Sequence, residues 1–152
     1  MSAISKADSR TPTYGVRDSE RVSLAGHRLR KHADYQRAYE ASRKRRSASM
    51  SWFLAAQAIP STPRVGLTAG KVLGKSHERN RIKRRMREVL RKHLDLLPDG
   101  CDLIFHPQRS VLTMEFTKLE AEVVRILEQA NAEHVRAITA EASMHSRTKA
   151  VP

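Results

Sequence analysis

Basic side chains are concentrated between Lys71 and His93, a segment with 10 Lys and Arg residues and only 2 acidic ones. At helical spacing, one arc of this segment collects polar and basic residues, with Lys83 at its border: Asn80, Arg81, Arg84, Arg85, Arg87, Arg91 and Lys92. Successive turns separate these charges by distances comparable to the phosphate spacing of a folded nucleic acid. Arg can bind a phosphate through two parallel hydrogen bonds, which Lys cannot do. The pattern therefore predicts anion binding, with Asn80 able to contact a base or a 2′-hydroxyl.

A solvated helix face is the alternative explanation for such a run. That kind of face usually mixes signs so that charges pair at i,i+4. Here only Glu78 and Glu88 are available, so the like charges repel each other unless a polyanion neutralises them. We therefore favour RNA or DNA as the ligand of this segment.

The whole chain has the same bias. Its 152 residues contain 29 Lys and Arg against 16 Asp and Glu, a formal net charge of +13. A second basic segment, from His27 to Arg46, contains 8 basic and 2 acidic residues. This balance favours nucleic acid over an anionic membrane surface. No apolar run approaches the length of a membrane span, so no membrane association is expected.

The residues that could perform catalysis or bind metal form no recognisable constellation. Cys101 is the only cysteine, which excludes an intrachain disulfide and suits a reducing cytoplasm. The seven histidines have no metal-ligand spacing, and no nucleophile is paired with a base. We expect neither a catalytic residue nor a metal site in the protein.

The elements that would position these side chains indicate a single small α+β domain. We predict a helix over residues 31–43, a strand over 50–59 (where alanines leave a helix possible) and a strand over 64–69 that completes an antiparallel hairpin. The basic helix spans residues 76–97 with Ser76 as N-cap, a strand covers 101–106, and a last helix runs from Thr113 to about His134. Residues 1–26 are predicted to be a disordered arm, 27–134 the folded domain and 135–152 a flexible tail.

Several of these features together resemble one family. The stretch Arg79-Asn80-Arg81-x-Lys83-Arg84-x-x-Arg87-Glu88 resembles the signature of the bacterial ribonuclease P protein. The strand Arg64–Thr68, the turn from Lys71 to Gly74 and the helix pattern Asp34–Tyr39 resemble the same family, over about residues 27–134. The resemblance implies a sheet of about four strands with three helices and a left-handed crossover through the basic helix.

The resemblance also implies a function. In this family the catalytic subunit is an RNA, and Mg²⁺ ions bound mainly by that RNA activate water for removal of the 5′ leader from precursor tRNA. The protein would bind the catalytic RNA through residues of the basic helix: Arg79, Asn80, Arg81, Lys83, Arg84, Arg87 and Arg91. The partners would be catalytic RNA and precursor tRNA, while protein partners stay open. A structural RNA-binding protein, such as a ribosomal one, and a nuclease acting without RNA are the alternatives.

A cleft between the first helix and the sheet would take the single-stranded leader. Unpaired nucleotides bind to aromatic platforms combined with cations. Tyr35 and Tyr39 lie one helical turn apart, Phe53 could join them from the strand, and Lys71 could contact a leader phosphate. Core packing is an equally good explanation for the two tyrosines and the favoured one for Phe53.

Overall fold

The structure is a computed structural model that describes residues 24–150, with side chains described as far as residue 144. Within that part of the chain lie three helices and four strands, in agreement with the predicted α+β domain. The helices are α1 (His32–Ala41), α2 (Ser76–Lys92) and α3 (Phe116–Ala150). The strands are β1 (Lys44–Arg46), β2 (Met50–Ala56), β3 (Arg64–Leu67) and β4 (Cys101–Pro107).

The four strands form one mixed sheet in the order β1-β2-β4-β3. β2 pairs antiparallel with both β1 and β4, whereas β3 pairs in parallel with β4. The predicted hairpin between β2 and β3 is therefore wrong, because β4 lies between them. β4 is buried along nearly its whole length, and such a strand is most stable with a partner on each side. The parallel pair β3–β4 is connected through α2, so the basic helix forms a crossover, and its left-handed sense stays a prediction.

Each face of the sheet carries its own apolar cluster. One face packs against α2 and α3 through Met50 and Trp52 of β2 and Leu103 and Phe105 of β4. The other face packs against α1 in a smaller cluster that contains Ile104. This alternation along β4 follows from the period of two in a strand.

Helix α2 turns an apolar stripe toward the core, at the helical spacing that its sequence shows. Ile82, Met86, Val89 and Leu90 are completely buried, and the basic arc therefore faces outward. Ser76 is the first helical residue rather than the N-cap, which is Lys75. The helix ends at Lys92, and residues up to Leu96 continue as a short 3₁₀ turn.

Helix α3 extends further than the sequence pattern indicates. Its predicted end at about His134 is wrong, since the helix continues to Ala150. The apolar periodicity stops there because the helix leaves the core, and Val135 and Ile138 are half or more exposed. Residues 135–150 contain neither Gly nor Pro and are rich in Ala, so helical propensity carries the helix on. Whether this end is flexible stays a prediction.

The predicted N-terminal arm lies mostly outside the described residues. Its last three residues are described and belong to a 3₁₀ turn, Leu24–His27, with Leu24 buried in the core. The folded domain thus includes residues before His27. Among the described helices, none has the length and hydropathy required to cross a bilayer.

Candidate nucleic-acid interface

The outward face of α2 carries a row of four cations, Arg81, Lys83, Arg84 and Arg87, that no acidic side chain within residues 24–144 neutralises. Asn80, Arg81 and Arg84 are exposed, and Lys83 and Arg87 are partly exposed. Across residues 24–144, no ion pair involves Arg81, Lys83, Arg84 or Arg87. Like charges on adjacent turns repel each other, so this face is left in a state that a polyanion would stabilise.

The remaining cations of the helix are engaged by neighbouring groups. Arg91 pairs with Glu88 at 2.6 Å, and Arg79 Nε donates to the carbonyl of Gly74 at 3.2 Å. Arg85 instead donates to the carbonyl of Met114 and lies over the ring of Phe116. Arg79 and Arg91 are partly exposed and lie beside the row of unpaired cations, each held in a fixed direction by its partner.

The acidic residue nearest the start of α2 is bound by a cation from outside the helix. Arg109 contacts both carboxylate oxygens of Glu78, at 2.8 and 3.1 Å. The Glu78 carboxylate also accepts the backbone N–H of Lys75 at 2.9 Å. These contacts, Arg109 first, lower the pKa of Glu78 to about 2. The carboxylate is thus ionised and occupied, and Arg109 brings further positive charge to this end of the helix.

A small cavity of about 100 Å³ joins α2 to α1 and β3. Arg28, Lys83 and Arg87 line it together with Tyr35. Burial, and then the charge of Arg28, lower the pKa of Arg87 from its usual value. The cavity places the basic face of α2 beside Tyr35 of α1.

Those aromatic side chains form one cluster on the α1 face of the sheet. The ring centroids of Tyr35 and Tyr39 are 6.3 Å apart, and those of Tyr39 and Phe53 are 4.9 Å apart. The structure therefore brings together the three aromatic residues singled out from the sequence. His106 is a fourth member that the sequence analysis missed, with its ring 5.1 Å from that of Phe53. Strand alternation places position 106 on the face of Ile104, but the contact with Phe53 also requires the pairing of β2 with β4.

The cluster, defined as Tyr35, Tyr39, Phe53 and His106, is half-buried and polar at its rim. The Tyr39 hydroxyl and His106 Nε2 are 2.7 Å apart and share a hydrogen bond. Burial, and then the charge of Lys44, lower the pKa of His106. Burial is also the main reason that the pKa of Tyr35 is raised. Both shifts favour the uncharged forms of Tyr35 and His106, and aromatic rings beside a cation such as Lys44 are the combination that binds unpaired nucleotides.

A partly buried ion-pair network holds α1 against the sheet. Asp102, 1% exposed, accepts hydrogen bonds from Nε and Nη2 of Arg64, both at 2.9 Å. Arg64 also donates to Asp34 of α1 at 3.2 Å, and Gln57 donates to Asp102 at 3.0 Å. Because a buried carboxylate is stable only when it is paired and hydrogen-bonded, this network fixes the position of α1 relative to β3 and β4.

Of the four residues predicted to bind the leader, Lys71 alone makes no described contact with the aromatic cluster. It is exposed in the 3₁₀ turn Lys71–Leu73 before α2. Among the residues described with side chains, no group of three or more His, Cys, Asp or Glu could hold a metal ion.

Proteins of one family are similar to this chain in sequence and in fold. The model of the family described as Ribonuclease P matches residues 25–131. The ribonuclease P protein component of Synechococcus sp. is 34% identical over 113 residues, covering 70% of this chain and 84% of that protein. The component of Chloroflexus aggregans is 36% identical over 104 residues, covering 68% of this chain and 76% of that protein.

Solved structures agree in fold. The ribonuclease P protein of Thermotoga maritima has a TM-score of 0.60 at 20% identity, covering 68% of this chain and 96% of that one. The ribonuclease P protein of Staphylococcus aureus has a TM-score of 0.59 at 25% identity, covering 68% of this chain and 94% of that one.

Proposed function

The chain belongs to the ribonuclease P protein family, and we propose on that basis that it is the protein subunit of this tRNA-processing ribonucleoprotein. It binds the catalytic RNA and assists endonucleolytic removal of the 5′ leader from precursor tRNA. The observation that carries this proposal is the cation row on α2, which forms no ion pair with any described acidic side chain. The residues assigned to the catalytic RNA lie on or beside that row: Arg79, Asn80, Arg81, Lys83, Arg84, Arg87 and Arg91.

The leader is proposed to lie on the aromatic cluster. Tyr35, Tyr39 and Phe53 are close enough together to stack against successive unpaired bases, and His106 adds a hydrogen-bonding edge. Every base has a flat face, so such stacking accepts leaders of different sequence. Lys71 would contact a phosphate further along the leader.

The protein assists through binding and charge. Two RNAs repel each other through their phosphates, and a protein with a formal charge of +13 reduces that repulsion where they meet. Holding the leader adds binding energy that mature tRNA cannot supply, which favours substrate over product. We propose, as the resemblance to the family implies, that the Mg²⁺ ions are bound mainly by the RNA.

Reconstitution at low magnesium tests this function. The full chain, the catalytic RNA and a precursor tRNA are combined, and each component is omitted in turn. We expect cleavage at the 5′ end of the mature tRNA only when the catalytic RNA is present, and at lower magnesium when the protein is added. Cleavage by the protein alone would indicate a nuclease, and an unchanged magnesium requirement would indicate a structural RNA-binding protein. Either result would overturn the proposal.

A further inference from the structure

We propose that the open edge of the sheet at β1 carries a second site for RNA phosphates, separate from the cation row of α2. A depression of about 510 Å³ lies there between β1 and α3. The residues that line it, named here the β1-edge site, are Arg43, Lys44, Arg45, Glu133 and Arg136. The inference rests on the RNA-binding function proposed above, but neither α2 nor the aromatic cluster is part of this lining.

The charges of the β1-edge site do not cancel. Four cations surround one carboxylate, which leaves a formal excess of three positive charges. Arg45 engages that carboxylate with two hydrogen bonds, Nε at 3.2 Å and Nη2 at 2.5 Å from the oxygens of Glu133. In the part of the chain with described side chains, Arg43, Lys44 and Arg136 form no ion pair. The Arg45–Glu133 pair therefore joins β1 to α3, and three cations remain for a ligand.

Protection of a sheet edge explains part of this arrangement but not all of it. Charged residues on an edge strand prevent pairing with the strand of another molecule, which would account for Lys44 and Arg46 on β1. Arg136 is on α3 and has no part in the edge. It also lies beyond residue 131, where the match to the family ends. The long α3 of this chain thus completes a cationic depression that edge protection does not require.

The position of the site favours RNA as its ligand. Lys44 lies opposite Phe53 in the β1–β2 register, and its charge lowers the pKa of His106. A strand stacked on the aromatic cluster would therefore meet the β1-edge site next. β1 and β3 are opposite edges of the sheet, three strand spacings or about 14 Å apart. The chain enters α2 from the β3 edge, whereas the β1-edge site lies at the opposite edge. The cation row of α2 and the β1-edge site are therefore suited to different RNA segments.

The test uses a pair of charge-matched double variants in the full chain. Arg43→Ala/Arg136→Ala removes two cations of the site and leaves both the Arg45–Glu133 pair and the aromatic cluster in place. Lys118→Ala/Arg125→Ala removes two exposed cations of α3 that do not line the site. Both variants are compared with the wild type for affinity across a range of salt concentrations. One arm uses the catalytic RNA alone, and the other uses the reconstituted holoenzyme with precursors of increasing leader length.

We expect Arg43→Ala/Arg136→Ala to reduce the log–log salt slope by about 1.4 on single-stranded RNA, at about 0.7 for each lost phosphate contact. The experiment in which the salt slope falls, with the catalytic RNA or with the precursor tRNA, identifies the RNA that supplies the phosphates. A reduction of the slope that grows with leader length assigns the site to the leader. A reduction measured with the catalytic RNA alone assigns the site to that RNA. Slopes equal to those of the control in both arms would overturn the inference. Failure of the wild-type protein to bind either RNA would instead overturn the proposed function.

Discussion

At the scale of single residues, His106 is the member of the aromatic cluster whose burial lowers its pKa. Its ring is half-buried beside Phe53 and shares a hydrogen bond with the Tyr39 hydroxyl. The sequence was sufficient to place Tyr35 and Tyr39 on one helix face, because helical spacing decides this locally. It did not reveal His106, since the contact depends on the pairing of β2 with β4, residues far apart in the chain.

The depressed pKa of His106 predicts a pH-dependent stability. In the unfolded chain His106 takes up a proton near its usual pKa, while in the folded protein it does so only at lower pH. The free energy of unfolding should therefore fall as the pH drops from about 7 through the folded-state pKa. Urea unfolding at pH 7.5 and 5.5 should show a smaller loss for His106→Gln than for the wild type. The exposed His77→Gln is the control, and an equal loss in all three proteins would contradict this account.

Two substitutions of Tyr39 distinguish stacking by its ring from hydrogen bonding by its hydroxyl. Tyr39→Ala removes the ring and should lower the preference of the holoenzyme for leader-bearing substrate over mature tRNA. The loss of one stacked base is worth about 1–3 kcal/mol, or roughly 5- to 150-fold in affinity. Tyr39→Phe keeps the ring and should retain most of the preference. Equal behaviour of Tyr39→Ala and wild type would show that this ring only packs.

At the scale of elements, the sequence patterns that predict helices and strands differ in strength from one element to the next. The basic helix α2 could be predicted because four apolar positions recur at helical spacing over a long segment. β1 was missed because its sequence, Lys44–Arg46, is entirely charged and becomes a strand only by pairing with β2. The predicted hairpin failed because short sequence separation favours pairing of neighbours, whereas the buried strand β4 takes the central position.

The contact between α1 and β3 depends on the absence of a side chain at Gly66. A Cβ built there would lie 2.6 Å from the Tyr35 hydroxyl oxygen and 2.7 Å from Cε1 of the same ring. Gly66→Ala should therefore displace Tyr35, lower the free energy of unfolding by about 1–3 kcal/mol and weaken leader-dependent binding. Gly70→Ala is the control, because a Cβ at Gly70 meets nothing within 4 Å. Equal stability and equal binding for the two variants would show that Tyr35 does not need this close approach.

At the scale of the whole molecule, the protein distributes positive charge over surfaces that do not face each other. The cation row of α2 was apparent from the sequence, because periodicity separates its basic arc from its apolar arc. The sequence did not show which cations the protein itself would engage. Arg85 and Lys92 belong to the same arc, yet Arg85 bonds to a carbonyl and Lys92 pairs with Glu120 at 3.4 Å. Those partners come from the segment around the start of α3, a long-range arrangement that local spacing does not encode.

The central claim is that the exposed row of α2 binds the phosphates of the partner RNA, and salt dependence measures this directly. The measurement compares the affinity of the wild type, Arg81→Ala/Arg84→Ala and the control Lys118→Ala/Arg125→Ala for the catalytic RNA across salt concentrations. Arg81 and Arg84 are exposed and form no ion pair among the described residues, so their removal should leave the fold intact. We predict that the log–log slope falls by up to about 1.8 for Arg81→Ala/Arg84→Ala, at about 0.9 for each duplex phosphate contact, and stays unchanged for the control. A slope for Arg81→Ala/Arg84→Ala equal to that of the wild type would contradict the claim.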